Sequence, residues 1–112
     1  MNQPLLSQSQ PSSNRRSKGQ HYEQQARRFL EQQGLLFVCA NYHCRQGELD
    51  LIMREQQTLV FVEVRYRASR NYGGALSSVT PAKQQKIRHT ARYYLMSQRI
   101  NEAHQACRFD IV

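Results

Sequence analysis

The chain has 112 residues, enough for one domain with a single modest core. It carries 16 Lys and Arg against 8 Asp and Glu, a formal net charge of +8, with a pI of about 9.9. No apolar run approaches the roughly 20 residues that a membrane-spanning helix needs, and the start lacks an apolar signal core, so the expectation is a cytoplasmic protein with no membrane partner. A small domain this basic commonly meets a polyanion, although solubility alone also accounts for such charge. The only lysines are Lys18, Lys83 and Lys86. The remaining cations are Arg, whose planar fork grips phosphate, and this tilts the balance toward nucleic acid.

In chain order, residues 1–18 are Gln, Ser, Asn and Pro closed by Arg15, Arg16, Ser17 and Lys18. They bury too little apolar surface to offset ordering, so a disordered basic and polar arm is expected, with the domain occupying 19–112. Tyr22, Ala26, Phe29 and Leu30 fall at helical spacing, predicting a helix over 20–33 stopped by Gly34. Glu23 and Arg27 stand one turn apart and predict an ordinary surface ion pair.

Leu35 to Cys39, extending toward His43, reads as a first strand. Arg45-Gln46-Gly47 then turns the chain into a second, Glu48 to Arg54. A polar turn leads to a third, Thr58 to Tyr66, and the three form an antiparallel meander. A loop of small polar residues follows from Arg67 to Val79. Thr80-Pro81 opens a second helix as N-cap and first residue. Ile87, Ala91, Tyr94 and Leu95 give that helix an apolar stripe, and Lys83, Lys86, Arg88 and Arg92 make its other faces basic. Cys107 to Val112 reads as a fourth strand, returned through the second helix and therefore parallel to a neighbour. The fold class is α/β: helix, three-stranded meander, helix, strand, with helices flanking a mixed sheet.

Cys39, Cys44 and Cys107 lack a second pair at metal-ligand spacing, so zinc is weakly indicated and reduced, half-buried thiols are expected.

Two acids interrupt the apolar strands. Asp50 lies within Gly47-Glu48-Leu49-Asp50-Leu51-Ile52, and Glu63 within Leu59-Val60-Phe61-Val62-Glu63-Val64-Arg65. A carboxylate inside a Val/Phe strand is costly to desolvate unless it is paired or holds a metal. Strict alternation puts Glu48, Asp50 and Ile52 on one face, and Leu49, Leu51 and Met53 on the other. In the simplest register Asp50 and Glu63 converge. Two carboxylates with a main-chain carbonyl and waters suit Mg2+ or Mn2+, which can activate water and neutralise a scissile phosphate. Arg65 beside them is a cation able to stabilise developing charge. The competing reading is purely structural, with Asp50 and Glu63 paired to Arg45, Arg65 or Arg67.

The segments Gly47–Ile52 and Phe61–Arg67 closely resemble the YraN family of small bacterial proteins. Gly19, Glu23, Ala26, Gly34, Asn41, Arg45, Gly73 and Lys83 to Ile87 also stand where that pattern expects them. The pattern is in turn similar to the PD-(D/E)xK restriction-endonuclease-like superfamily, nearest the archaeal Holliday-junction resolvases. The resemblance implies a restriction-endonuclease-like core with Asp50 and Glu63 as metal ligands, Val64 lending its carbonyl, and Glu23 approaching the same site. Arg65 occupies the usual Lys position. Arg stays charged and is a poor general base, so this departure bears on the reaction more than on the fold.

Three functions follow as expectations. The first is a metal-dependent endonuclease acting on branched or structured DNA, with catalytic residues Glu23, Asp50, Glu63 and Arg65 and with Arg45, Arg67, Lys83, Lys86, Arg88 and Arg92 on nucleic acid. A homodimer suits the first, because cutting opposing strands of a junction needs two sites. The second is a nucleic-acid-binding protein on a nuclease-like fold without turnover. The third is a protein-interaction subunit whose acids are structural.

Overall fold

The computed structural model describes residues 14–65 and 79–112, with side chains described from residue 20 onward. Helix α1 runs Asn14–Gln32. It starts inside the stretch expected to be an arm. Arg, Lys and Gln lose little rotamer freedom in a helix, so once its buried turns dock the helix propagates backward through Lys18 at little cost. Ala26 and Leu30 are buried as expected, but Phe29 is 50% exposed. Gly34, at φ +99°, closes the helix, and Leu35 N–H returns to Leu30 O at 3.1 Å.

The strands follow as β1 (Leu36–Cys44), β2 (Gly47–Glu55) and β3 (Thr58–Glu63), then helix α2 (Pro81–Ser97), a short 3-10 turn (Glu102–His104) and β4 (Cys107–Ile111). The sheet order is β1-β2-β3-β4. The first three strands are antiparallel, and β4 lies parallel to β3. This is the mixed sheet flanked by helices that the element order predicts. β3 ends three residues short of the expected Tyr66, which lies outside the described residues, although Arg65 N–H still reaches Val112 O at 2.8 Å. The expected loop falls almost wholly in 66–78, also outside the described residues.

Each helix covers one face. Ala26, Leu30 and Leu35 pack with Leu51, Met53, Val60 and Val62 on the α1 side. On the α2 side Ile87, Ala91, Tyr94 and Leu95 pack with Leu49, Ile52, Leu59 and Phe61. Strict alternation therefore fails along β2, because Leu49 shares a face with Ile52 and not with Leu51 or Met53. The changeover falls at Asp50. The partner strand breaks step at the same place, where Asn41 stands opposite Asp50 between the pairs Ala40–Leu51 and Tyr42–Leu49. Asn41 has φ +54°, a left-handed conformation that Asn tolerates better than most residues. Both strands turn over together, so Ala40–Leu51 and Tyr42–Leu49 keep one register while the faces exchange; the register shift of β1 falls earlier, between Phe37 and Cys39.

Gly47 sets the distance between this hairpin and α2. Its φ is +149°, and a Cβ there would stand 2.9 Å from Thr90 Oγ1. Thr90 is fully buried and donates its hydroxyl to Lys86 O at 2.8 Å.

Candidate functional site

The β2–β3 ladder pairs Leu51 with Val62. Its next step sets Asp50 beside Glu63, at the end of the sheet where the strands change faces. Glu63 is 8% exposed and Asp50 half-buried. Val64 donates its N–H to Asp50 Oδ2 at 2.8 Å. On either side of Val64, Glu63 O accepts from Val112 N–H at 3.0 Å and Arg65 N–H donates to Val112 O at 2.8 Å. The backbone of residues 63 and 65 is thus spent on β4, which leaves the Val64 peptide edge facing β2 and Asp50.

Two cations reach Glu63. Arg65 Nη2 lies 3.4 Å and Lys83 Nζ 3.6 Å from the same oxygen, Oε2. Lys83 arrives from the first turn of α2. The Thr80 side chain caps that turn by accepting from Lys83 N–H at 3.1 Å, and the Gln84 side chain donates to Val79 O at 3.1 Å. Each acid therefore has one oxygen anchored by the protein.

The electrostatics show what this packing costs. Burial pushes the Asp50 carboxyl above the ordinary carboxylate range, opposed by the Val64 N–H and reinforced by the charge of Glu48. Glu63 is raised first by burial and then by the charge of Asp50, with Lys83 and Arg65 pulling the other way. Glu23 is raised by burial and by Asp50, while a hydrogen bond from Asn41 lowers it. The two cations do not cancel the penalty of placing these acids together.

Glu23 does not form the expected ion pair with Arg27. Arg27 binds Glu31 at 3.1 Å and its guanidinium lies 3.6 Å from the centre of the Phe37 ring. Glu23 instead borders a cavity on the α1 side with Asn41, Ala40 and Leu51, whereas Glu63 borders one on the α2 side with Gln84, Ile87 and Arg88. Asp50 sits between them and is coupled to both. Among the described residues no three Asp, Glu, His or Cys side chains come close enough to share a metal. The groups that the contacts bring together are Asp50, Glu63 and the Val64 N–H. Few protein ligands of hard oxygen suit Mg2+ or Mn2+, which commonly keeps several waters and binds through one or two carboxylates.

The other predicted residues are dispersed. Arg45 is exposed in the β1–β2 turn, and Lys86, Arg88 and Arg92 are exposed along α2. Arg92 binds Glu102 at 3.1 Å. Arg67 lies outside the described residues. Cys39 and Cys44 are half-buried free thiols, whereas Cys107 is exposed rather than half-buried, because β4 turns it outward.

Two residues gain a place at the site that spacing did not assign. Asn41 hydrogen-bonds Glu23, and its signal was an Asn in the middle of a strand, where Asn is normally depleted. Lys83 was assigned to the basic helix surface, and its signal was the cap three residues earlier, which puts it in the first turn.

Fold and site together define a small α/β protein with two partly buried carboxylates on neighbouring strands of a mixed sheet. The chain belongs to uncharacterised protein family UPF0102, which matches residues 22–112. It is similar to a UPF0102 protein of Aeromonas hydrophila, 59% identical over 96 residues covering 86% of this chain and 74% of that one. It is also similar to the UPF0102 protein YraN of Salmonella newport, 52% identical over 98 residues covering 88% and 75%. Among the described residues no helix is long and apolar enough to cross a membrane.

Proposed function

We propose that the chain is a metal-dependent endonuclease acting on structured or branched DNA. The observation that carries this reading is the pairing of Asp50 and Glu63 on neighbouring strands, each anchored through one oxygen. Asp50, Glu63 and the Val64 carbonyl would hold Mg2+ or Mn2+. When bound, such an ion supplies charge neutralisation at a phosphodiester and lowers the pKa of a water. The chain's own residues do the rest. The Val64 N–H and the cations at Glu63 Oε2 fix the carboxylates before substrate arrives. Asn41 and Glu23 set the charge on the other side of Asp50. Arg65 offers permanent positive charge near the developing negative charge.

The resemblance to restriction-endonuclease-like proteins supports the same reading. The Arg at position 65 favours the second reading, nucleic-acid binding without turnover, because a guanidinium does not act as a base.

The test is incubation of purified protein with junction, flap and single-stranded DNA in Mg2+ or Mn2+. Cleavage that is lost in Asp50→Ala is the expected result. Salt-sensitive binding without product selects the second reading. Equal cleavage by wild type and Asp50→Ala removes the first.

A further inference from the structure

The geometry points to a groove for an unpaired DNA strand between α2 and the connection into β4, with a base stacked on Phe109 and a backbone phosphate on Arg92. It rests on the DNA contact that both readings above share and deepens it, by naming single-stranded DNA as the part held. It needs no metal ion.

Two adjoining cavities make the groove. The first, about 530 Å³, is lined by buried Phe61, Ala91 and Leu95 and by exposed Arg88 and Phe109. The second, about 630 Å³, is bordered by Tyr93, Met96 and Asn101, and the two share His89, Arg92 and Glu102. Both fall within the roughly 300–1,000 Å³ of sites that take small ligands. Phe109 is 46% exposed, and its ring lies 5.5 Å from that of Phe61, tilted by 31°. Phe61 in turn meets the Tyr94 ring edge-on at 6.1 Å. The exposed ring is therefore backed by buried rings and forms a fixed platform. Of the large hydrophobic side chains that the described residues expose, Phe109, Tyr93 and Met96 all border these two cavities. Every base has a face that stacks on such rings, while a positive groove follows the backbone.

Charge selects the occupant. Helix α2 carries Lys83, Lys86, Arg88 and Arg92 and no acid. Glu102 is the one acid among the described residues that border the groove, and it binds Arg92 at 3.1 Å with both side chains more than half exposed. An exposed pair of this kind contributes little, so a phosphate takes the guanidinium fork at low cost. A second copy of the chain would bring the same positive face. An acidic peptide would use the cations but has no need of the rings. Gln85 and Gln105 add amides that match base edges, and Gln105 is fixed by donating to Gln57 O at 2.7 Å and to Ala106 O at 2.8 Å. A smaller cavity of about 170 Å³ shares Phe61, Arg88 and Phe109 with the groove and reaches Glu63, so a strand held there lies beside the carboxylates.

The experiment measures anisotropy of two fluorescein-labelled strands of about ten nucleotides in EDTA, one of thymidines and one of abasic residues with the same charge. Thermal unfolding checks that each variant folds. Wild type binds the thymidine strand about fivefold or more tightly than the abasic one. Phe109→Leu removes that preference and leaves the abasic affinity unchanged, whereas Phe109→Tyr keeps it. Arg92→Met lowers the salt dependence of binding by about 0.7 in log–log slope. Glu102→Gln tightens both strands, and Glu31→Gln, at the comparable exposed pair with Arg27 on α1, changes binding less. Equal binding of the two strands by wild type overturns the groove, with or without a folded Phe109 variant. An unchanged preference in folded Phe109→Leu does the same. An acidic peptide of equal charge that displaces the thymidine strand as well as unlabelled thymidine strand does also overturns it, and assigns the groove to acidic protein segments. No metal is present in these measurements. Absence of cleavage in Mn2+ with the base preference intact therefore removes the nuclease reading and leaves the groove standing.

Discussion

The sheet carries two clusters of acid and guanidinium that look alike in composition and behave differently. Around Arg108, both oxygens of Asp110 and one oxygen of Glu55 are paired. Arg108 donates to both Asp110 oxygens at 3.2 Å and to Glu55, and these bonds hold its guanidinium above its usual range. All three side chains are a quarter or more exposed. At the other cluster Glu63 is almost fully buried and Asp50 half-buried, and the charge of Asp50 bears on Glu63. Their carboxyls rise above the ordinary range although two cations are present. The first cluster is a finished surface network, worth little beyond local order. The second is a standing conflict, and conflicts of this kind concentrate at functional sites.

On the proposed nuclease reading, the largest effect that separates the clusters is on cleavage. Asp50→Asn or Glu63→Gln lowers metal-dependent cleavage at least about a hundredfold, comparable to removing one preorganised electrostatic group, whereas Glu55→Gln leaves it within about twofold. Gel assays on one DNA substrate read both. Equal losses at the two clusters erase the distinction drawn here.

A smaller effect concerns the changeover that brings the acids together. Asn41→Val forces a β-branched residue into the left-handed region and removes the partner of Glu23. It destabilises the fold by about 1–2 kcal/mol, read by urea unfolding. Asn41→Gly keeps the backbone and loses only the hydrogen bond, so its cost is well below that of the valine variant.

Stability against pH sharpens the contrast further. A carboxyl raised in the folded chain is more easily protonated there than in the unfolded chain. The stability tied to Asp50 and Glu63 is therefore fullest when they are protonated. It is lost as pH rises from their ordinary values of 3.8 and 4.5 through the raised folded ones. In metal-free buffer Asp50→Asn is consequently more stable than wild type at neutral pH, by several degrees in Tm, and the gap closes in acid. Mn2+ stabilises wild type and narrows the same gap. A neutral-pH loss of stability in Asp50→Asn instead assigns Asp50 a structural role.

The smallest effect is at the finished cluster. Arg108→Met lowers Tm by no more than a few degrees, because exposed pairs contribute about 0–1 kcal/mol. A larger loss shows that the strand ends depend on it.

Much of the fold was legible in the sequence because its signals are local. The helical spacing of Ala26 and Leu30, the Gly34 stop, the Thr80-Pro81 start and the apolar runs around Met53 and Val60 each act within one or two turns of chain. They give the element order and, through the need for a crossover, the parallel β4. That Asp50 and Glu63 lie on paired antiparallel strands was legible as well, since this hairpin has one simple register. The reach of α1 back to Asn14 was not, because a polar helix start is decided by docking further along.

What only the tertiary structure decided is which groups face those acids. The exchange of faces at Asp50 and Asn41 breaks the alternation on which a strand reading depends, and it comes from two strands turning over together. Lys83 reaches Glu63 because α2 folds back over the sheet after a segment whose length says nothing about its path. Sequence alone determined that two costly carboxylates lie on sister strands, since hydrophobic pattern and pairing are short-range. Their partners, burial and raised protonation were decided in space, because charges interact through distance and solvent exclusion rather than through order along the chain.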